Sequence, residues 1–171
     1  AGLVALSFQT FTEIRDGFSK GYGFSWGDFA ANTLGAAYPS LQEYYPALKS
    51  YNYKISFFPS EKFKSGSHAS IMDDYESTYH WISVDINRLL PKDIDVIFPD
   101  FINIAIGHSV NNLNGVGSGN HELFVGIDWD FEALPGNSKF WKTLKRILNY
   151  YHFPAPTIKV YPNVVWYGLK F

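Results

Sequence analysis

Hydrophobic residues follow two different rhythms along this chain, and the change falls at Ser50. Downstream of it apolar positions recur by twos, the period of an extended strand with unlike faces. In YNYKISFF, Tyr51, Tyr53, Ile55 and Phe57 share one face, and Asn52, Lys54 and Ser56 the other. In YHWISVDIN, Ile82, Val84 and Ile86 oppose Trp81, Ser83, Asp85 and Asn87, while FINIAIGHS sets Ile102, Ile104 and Ile106 against Asn103, Ala105, Gly107 and Ser109. HELFVGIDWDF places Leu123, Val125, Ile127, Trp129 and Phe131 opposite Glu122, Gly126, Asp128 and Asp130. The closing VVWYGLKF puts Val165, Tyr167, Leu169 and Phe171 opposite Trp166, Gly168 and Lys170. Five strands are expected, each with one apolar face and one that is small, polar or charged.

Upstream of Ser50 the pattern is helical. AGLVALSFQTFTEIRDGF reads as a helix stopped by Gly17, which suits a left-handed cap. Ser25 reads as the N-cap of a second helix, with Asp28 in the place of a capping-box acid. That helix is small-sided, and Ala31, Gly35 and Ala36 allow another backbone to come close. Pro39 and Pro46 bracket the segment that follows and end the helical part by about residue 49. A further helix precedes the last strand. There Phe140, Leu144, Ile147, Leu148 and Tyr151 recur at helical spacing, with Lys139, Lys142, Lys145 and Arg146 as the basic side. Such a helix either packs on a sheet or lies in the plane of a membrane interface. The expected fold class is α+β, a helical hairpin followed by an antiparallel β-sheet. The expected organisation is a single domain over 1–171, helical in 1–49 and strand-rich in 50–171.

Alternation of this kind suits a transmembrane barrel with lipid outside and a polar interior. It equally suits an antiparallel sheet with one face on a core and one in water. Aromatic residues, 15 Phe, 12 Tyr and 5 Trp, make up 19% of the 171 residues, a content that suits interfacial girdles, carbohydrate platforms or an ordinary aromatic core alike, and their placement favours the membrane. Tyr51, Phe57, Phe58, Tyr79, Trp129, Phe131 and Trp166 collect at strand ends, where an interfacial girdle would sit. Phe171, with apolar residues at every second position before it, resembles the C-terminal signal of bacterial outer-membrane barrels. The expected form is therefore a membrane-embedded or partial β-barrel, with Gly35, Tyr167, Leu169 and Phe171 facing lipid or a partner. Bacterial barrels use even strand numbers from about eight upward, so five strands imply helices closing an incomplete sheet, strands supplied upstream or further strands that the alternation does not mark. No uncharged apolar run reaches the roughly 18 residues of a spanning helix.

Several chemistries are excluded. A net charge of −2 gives no basic footprint for nucleic acid. Absence of cysteine removes disulfides, thiolate metal sites and a cysteine nucleophile. Histidines at 68, 80, 108, 121 and 152 contain no i, i+4 pair and no HExxH, so no zinc motif is present. His108 and His121 flank the Gly/Asn loop at 111–120 and are positioned to meet across a hairpin, a proximity read as incidental. That loop is not followed by Gly-Lys-Ser/Thr, and the chain has no G-x-S-x-G elbow. MDDYES offers Asp73, Asp74 and Glu76 without the spacing of a calcium loop and reads as a solvated loop. No cofactor is expected.

Four polar residues of the helical half form the candidate site. Glu13 and Asp16 are three apart, and Asp28 and Asn32 four apart, so each pair shares a helix face. Two facing helices would gather all four, and carboxylates in an apolar helix pair are costly unless paired or hydrated. The plain alternative is capping, with Asp28 serving a helix N-terminus and Asp16 a turn. The run EIRDGFSKGYGFSWGDFAANTLG, residues 13–35, resembles the YfiM-like family of predicted bacterial envelope lipoproteins. It is more distantly similar to the VanZ-like membrane proteins, whose pattern sets an acid one or more turns before an Asp, Asn and Gly series. The matching positions are Glu13, Asp16, Gly17, Asp28, Asn32 and Gly35. Family members also carry an upstream helix with Asp-Lys and His, and a lipoprotein cysteine, so an N-terminal segment is expected to be missing here.

The resemblance implies a bacterial outer membrane or the periplasmic face of the cell envelope. The expected function is a structural or accessory role as a subunit of a larger envelope complex, with envelope proteins or lipid as partners and no nucleic acid. One alternative is an enzyme acting on a lipid or cell-wall substrate. Glu13, Asp16 and Asp28 would then be acid/base groups or ligands for Mg²⁺ or Ca²⁺, oriented by Asn32. The other is a soluble aromatic-rich binding domain.

Overall fold

The computed structural model describes residues 2–18, 23–66, 74–90, 99–114 and 118–171. His68, Asp73 and positions 115–117 of the Gly/Asn loop lie outside the described residues. The chain divides into two compact units, Ala1–Lys49 and Ser50–Phe171.

In the first unit α1 (Gly2–Gly17) packs on α2 (Trp26–Tyr44). Ser25 caps α2 as its sequence predicts, its hydroxyl accepting from the Asp28 N–H at 3.2 Å. The closest approach falls at Gly2, where a Cβ would stand 2.7 Å from the Ala36 carbonyl oxygen, whereas Gly35 faces open space. The helical part ends by about residue 49 as expected, and inside α2 lies Pro39. Its missing N–H removes one helical bond, but the helix runs on to Tyr44. Tyr38 and Gln42 then both donate to the Leu48 carbonyl at 3.2 Å and tie down the turn that follows.

The second unit is one antiparallel sheet of six strands in sequential order. They are β1 (Tyr51–Phe57), β2 (Thr78–Val84), β3 (Ile102–Asn111), β4 (Asn120–Trp129), β5 (Ala155–Tyr161) and β6 (Val165–Lys170). Short helices α3 (Glu61–Lys64) and α4 (Ile86–Leu89) flank β2, and α5 (Lys139–Leu148) lies between β4 and β5. The sequence pattern missed β5. Pro154 and Pro156 sit at its start and Lys159 points to the interior, so neither turn signals nor alternation mark it out.

The sheet wraps strongly on itself. Laid flat, β2 and β6 would stand roughly 19 Å apart at about 4.8 Å per strand, yet the Lys170 ammonium lies 3.8 Å from the centre of the Tyr79 ring. Phe58, just past β1, stacks on Phe171, just past β6, at 5.6 Å. Segment 150–152 pairs with the outer edge of β1: Ile55 donates to the Tyr150 carbonyl at 3.0 Å and His152 to the Ile55 carbonyl at 2.8 Å. Among the described residues β1 and β6 share no ladder, so the antiparallel sheet expected from the alternation is formed but is not closed into a barrel.

Candidate functional site

The wrapped sheet has the reverse of the usual polarity. Its strands carry five charged residues, Lys54, Glu122, Asp128, Lys159 and Lys170, and all face inward. Lys54 and Asp128 are wholly buried and meet at 2.6 Å. The same ammonium also donates to the Trp129 carbonyl at 2.8 Å and to Asn149 Oδ1 at 3.0 Å. The other Asp128 oxygen bonds His152 Nδ1 at 2.9 Å, and Ser83 donates to Asp128 Oδ2 at 2.6 Å while accepting from Asn103. Burial pushes the Asp128 carboxyl up, but the His152 hydrogen bond, the Lys54 charge and the Ser83 hydroxyl outweigh it and hold the group below its ordinary value. His152 stacks flat on Trp81 at 3.9 Å between ring centres. Sequence reasoning treated Asp74 as part of a solvated loop, yet it is buried too and accepts from Ser60 and Ser77.

Toward the other end of the strands the interior turns aromatic. Tyr79, Trp81 and Phe124 form the buried cluster with Ala105, and Tyr167 packs against it. Lys170 reaches into this group, with its ammonium 5.4 Å from Phe58 and 5.7 Å from both Phe124 and Tyr167. Burial pulls its pKa down to about 8, against the attraction of Glu122 and with the repulsion of Lys159. Glu122 and Lys159 form their own pair at 2.9 Å. Gly107 makes this packing possible, since any Cβ there would collide with the Trp81 ring.

The outer face is the converse. Tyr51, Tyr53, Ile55, Ile82, Ile104, Ile106, Leu123, Val125, Val160, Trp166 and Leu169 are all exposed, and no Asp, Glu, Lys or Arg interrupts them. Monomers in water rarely expose continuous apolar area on this scale unless it serves an interaction. Helix α5 behaves alike in part: of its apolar stripe Leu144, Leu148 and Tyr151 are half-buried, while Phe140 is 74% and Ile147 61% exposed. Its buried residue is Lys145, whose ammonium binds the Leu134 carbonyl at 2.5 Å. In the helical unit Leu3, Phe8, Phe11 and Ile14 form another exposed stripe on α1.

One polar line crosses the outer face. The Tyr53 hydroxyl and His80 Nδ1 are 2.5 Å apart, His80 stands opposite His108 in the β2–β3 register, and His108 Nε2 lies 2.9 Å from His121 Nδ1. The contact across the hairpin that sequence reasoning treated as incidental is therefore made. Burial, and next the proximity of His108, lower the His80 pKa.

Of the carboxylate set, Glu13 is buried and its Oε2 accepts from the Ser25 backbone N–H at 3.4 Å, at the N-terminus of α2. Asp28 is exposed in the first turn of α2, Asn32 is half-buried one turn on, and Asp16 falls in the last turn of α1. Among the described residues no group of three or more His, Asp or Glu side chains is arranged to hold a metal ion. Gly35 is exposed, Leu169 is 70% exposed, and Phe171 stacks on Phe58. Tyr167 departs from its expected outward position. β6 has one residue more than β5 between the pairs Thr157–Tyr167 and Ala155–Lys170, and this bulge turns both Tyr167 and Lys170 inward. Trp166, expected opposite the apolar residues, lies outside beside Leu169.

Residues 1–44 match the model of a family described as a predicted periplasmic lipoprotein (DUF2279). The match covers about a quarter of the chain and includes the segment from Glu13 to Gly35. It marks an envelope protein at the periplasmic face; the YfiM-like and VanZ-like designations are not part of it. No curated protein and no solved structure matches the chain. No helix among the described residues is long and apolar enough to cross a membrane.

Proposed function

We propose that this protein is a structural or accessory component of the bacterial cell envelope, and that the outer face of its sheet seats against membrane lipid. The observation that carries the reading is the inverted polarity of the strands. All five charged strand residues point inward, and apart from Thr78 and Gly168 the outward positions are aliphatic, aromatic or histidine. In water such an arrangement leaves large apolar area unburied, whereas against lipid it places each residue in a matching medium. Helix α5 supports the same reading, with Phe140 and Ile147 exposed for insertion and Lys139, Lys142 and Arg146 exposed for head groups. Glu13 bonds the start of α2, which gives it a packing role and lends no support to acid–base chemistry.

The test is fractionation of native membranes followed by carbonate and urea washes, comparing the natural protein with Ile106→Lys. Ile106 is 54% exposed on the outer face, so the change should leave the fold within about 0.5 kcal/mol of its stability. Retention of the natural protein and release of the variant are expected. A natural protein found wholly in the wash would overturn the reading. Retention that survives in envelopes but fails on pure lipid vesicles would move the contact from lipid to a protein partner.

A further inference from the structure

The row Tyr53, His80, His108, His121 crosses the outer face of the sheet, and three of its four members are imidazoles. We propose that this row makes seating of the face pH-dependent, holding it on lipid while the imidazoles are neutral and releasing it when they take up protons. The inference rests on the lipid-facing reading above and adds its regulation.

Geometry favours the neutral state. The Tyr53 hydroxyl and His80 Nδ1 share a hydrogen bond at 2.5 Å, in which the nitrogen accepts or donates according to the tautomer, so the constraint on protonation comes from the second histidine contact. His108 Nε2 and His121 Nδ1 are 2.9 Å apart, so one must be donor and the other acceptor. The pair tolerates one added proton at a remote nitrogen, but a second leaves two N–H groups facing each other. His80 adds a third imidazole directly across from His108.

Among the described residues no Asp, Glu, Lys or Arg of the strands lies on the same face. On β1 the residue paired with His80 is Ile55, with Tyr53 bonded to the imidazole one pair along, and on β5 the residue paired beside the row is Tyr161, opposite Leu123. Glu122 adjoins His121 in sequence but points inward to Lys159. Lys62 and Glu76, near the β3–β4 loop, neutralise each other at 2.5 Å and bind the backbone of Leu113. Protons on the row therefore place like charges side by side on a surface that otherwise carries none, and moving them into an apolar medium is costly. The sign follows: lipid favours neutral imidazoles, so seating releases protons and falling pH opposes it. Each imidazole whose pKa is one unit lower when seated weakens binding about tenfold below both values.

The experiment is co-sedimentation of the full chain with phosphatidylcholine vesicles, whose head groups keep the same net charge at pH 7.5 and 5.0. The natural protein should lose binding about tenfold or more on acidification. A variant carrying His80→Gln, His108→Gln and His121→Gln should bind alike at both values. Equal binding of the natural protein at the two pH values overturns the switch and leaves lipid seating intact. An acid loss that persists in the triple variant overturns it too. Absence of binding at pH 7.5 overturns the seating and the switch together. Should the triple variant not fold, imidazole titration by NMR in phosphocholine micelles decides: values lower than in micelle-free protein support the switch, and unchanged values overturn it.

Discussion

Lys54 and Asp128 face each other across three strand intervals at 2.6 Å, with neither side chain exposed. Two buried charges are tolerable because each is saturated with further hydrogen bonds, the ammonium by Trp129 and Asn149, the carboxylate by His152 and Ser83. Removing one partner strands the other, so Asp128→Asn should cost about 3–5 kcal/mol in urea unfolding, and Lys54→Met a similar amount. Replacing both by apolar residues should cost less than either single change. The Asp128 pKa is depressed in the folded protein, so the unfolded chain takes up its proton first as acid is added. Its stabilisation is present above the ordinary value of 3.8 and is lost as pH falls through the folded value. Asp128→Asn should flatten that acid limb in a pH series of melting temperatures.

Lys170 gives a different signature. Its amine should titrate near 8 in ¹³C-methylated protein observed by NMR. Glu122 attracts the protonated form and Lys159 repels it, so Glu122→Gln should move the value down and Lys159→Met should move it up. Shifts in the same direction would refute the arrangement.

Gly107 is a packing requirement of Trp81. Gly107→Val forces a side chain into the indole ring, and overpacking of this kind costs roughly 1–3 kcal/mol. Urea midpoints read the loss, and a red-shifted tryptophan emission would report the displaced ring.

In the helical unit, Ser25→Ala removes the acceptor of the Asp28 N–H and should cost about 1 kcal/mol of helix stability by circular dichroism. Glu13→Gln keeps a hydrogen-bonding oxygen beside Ser25 but loses the charge at the helix N-terminus, an expected loss of about 0.3–1 kcal/mol that added salt should diminish.

Much of this architecture is legible from the sequence, because a period of two fixes which residues share a face whatever medium lies beyond it. The outward Ile82, Ile104, Ile106 and Val125 were all assignable that way. So was the Ser25 cap, which depends on local chemistry; Gly17 is the last residue of α1 but lacks the positive φ of the left-handed cap expected there. Three features resist such reading. Lys54 finds Asp128 and His152 only through the wrapping of the sheet, and nothing local marks His152 as their partner. Strand β5 is hidden by flanking prolines and an inward lysine. The amphipathic spacing of α5 is plain in sequence, but whether Phe140 or Lys145 turns inward depends on the carbonyls of Glu132 and Leu134 that wait for the ammonium.

The extra residue in β6 makes the end of the sheet a matter of counting. Between Tyr167 and Lys170 the chain takes three steps where β5 takes two. Were Gly168 deleted, Tyr167 and the lysine would still share a face, now by ordinary alternation, and the glycine's slack would be gone. Only if those three steps ran as regular alternation, with no bulge to absorb the odd residue, would the lysine swing outward and carry a positive charge onto the one surface that excludes it. The bulge at this point, more than the identity of any side chain, decides on which side of the sheet the ammonium ends.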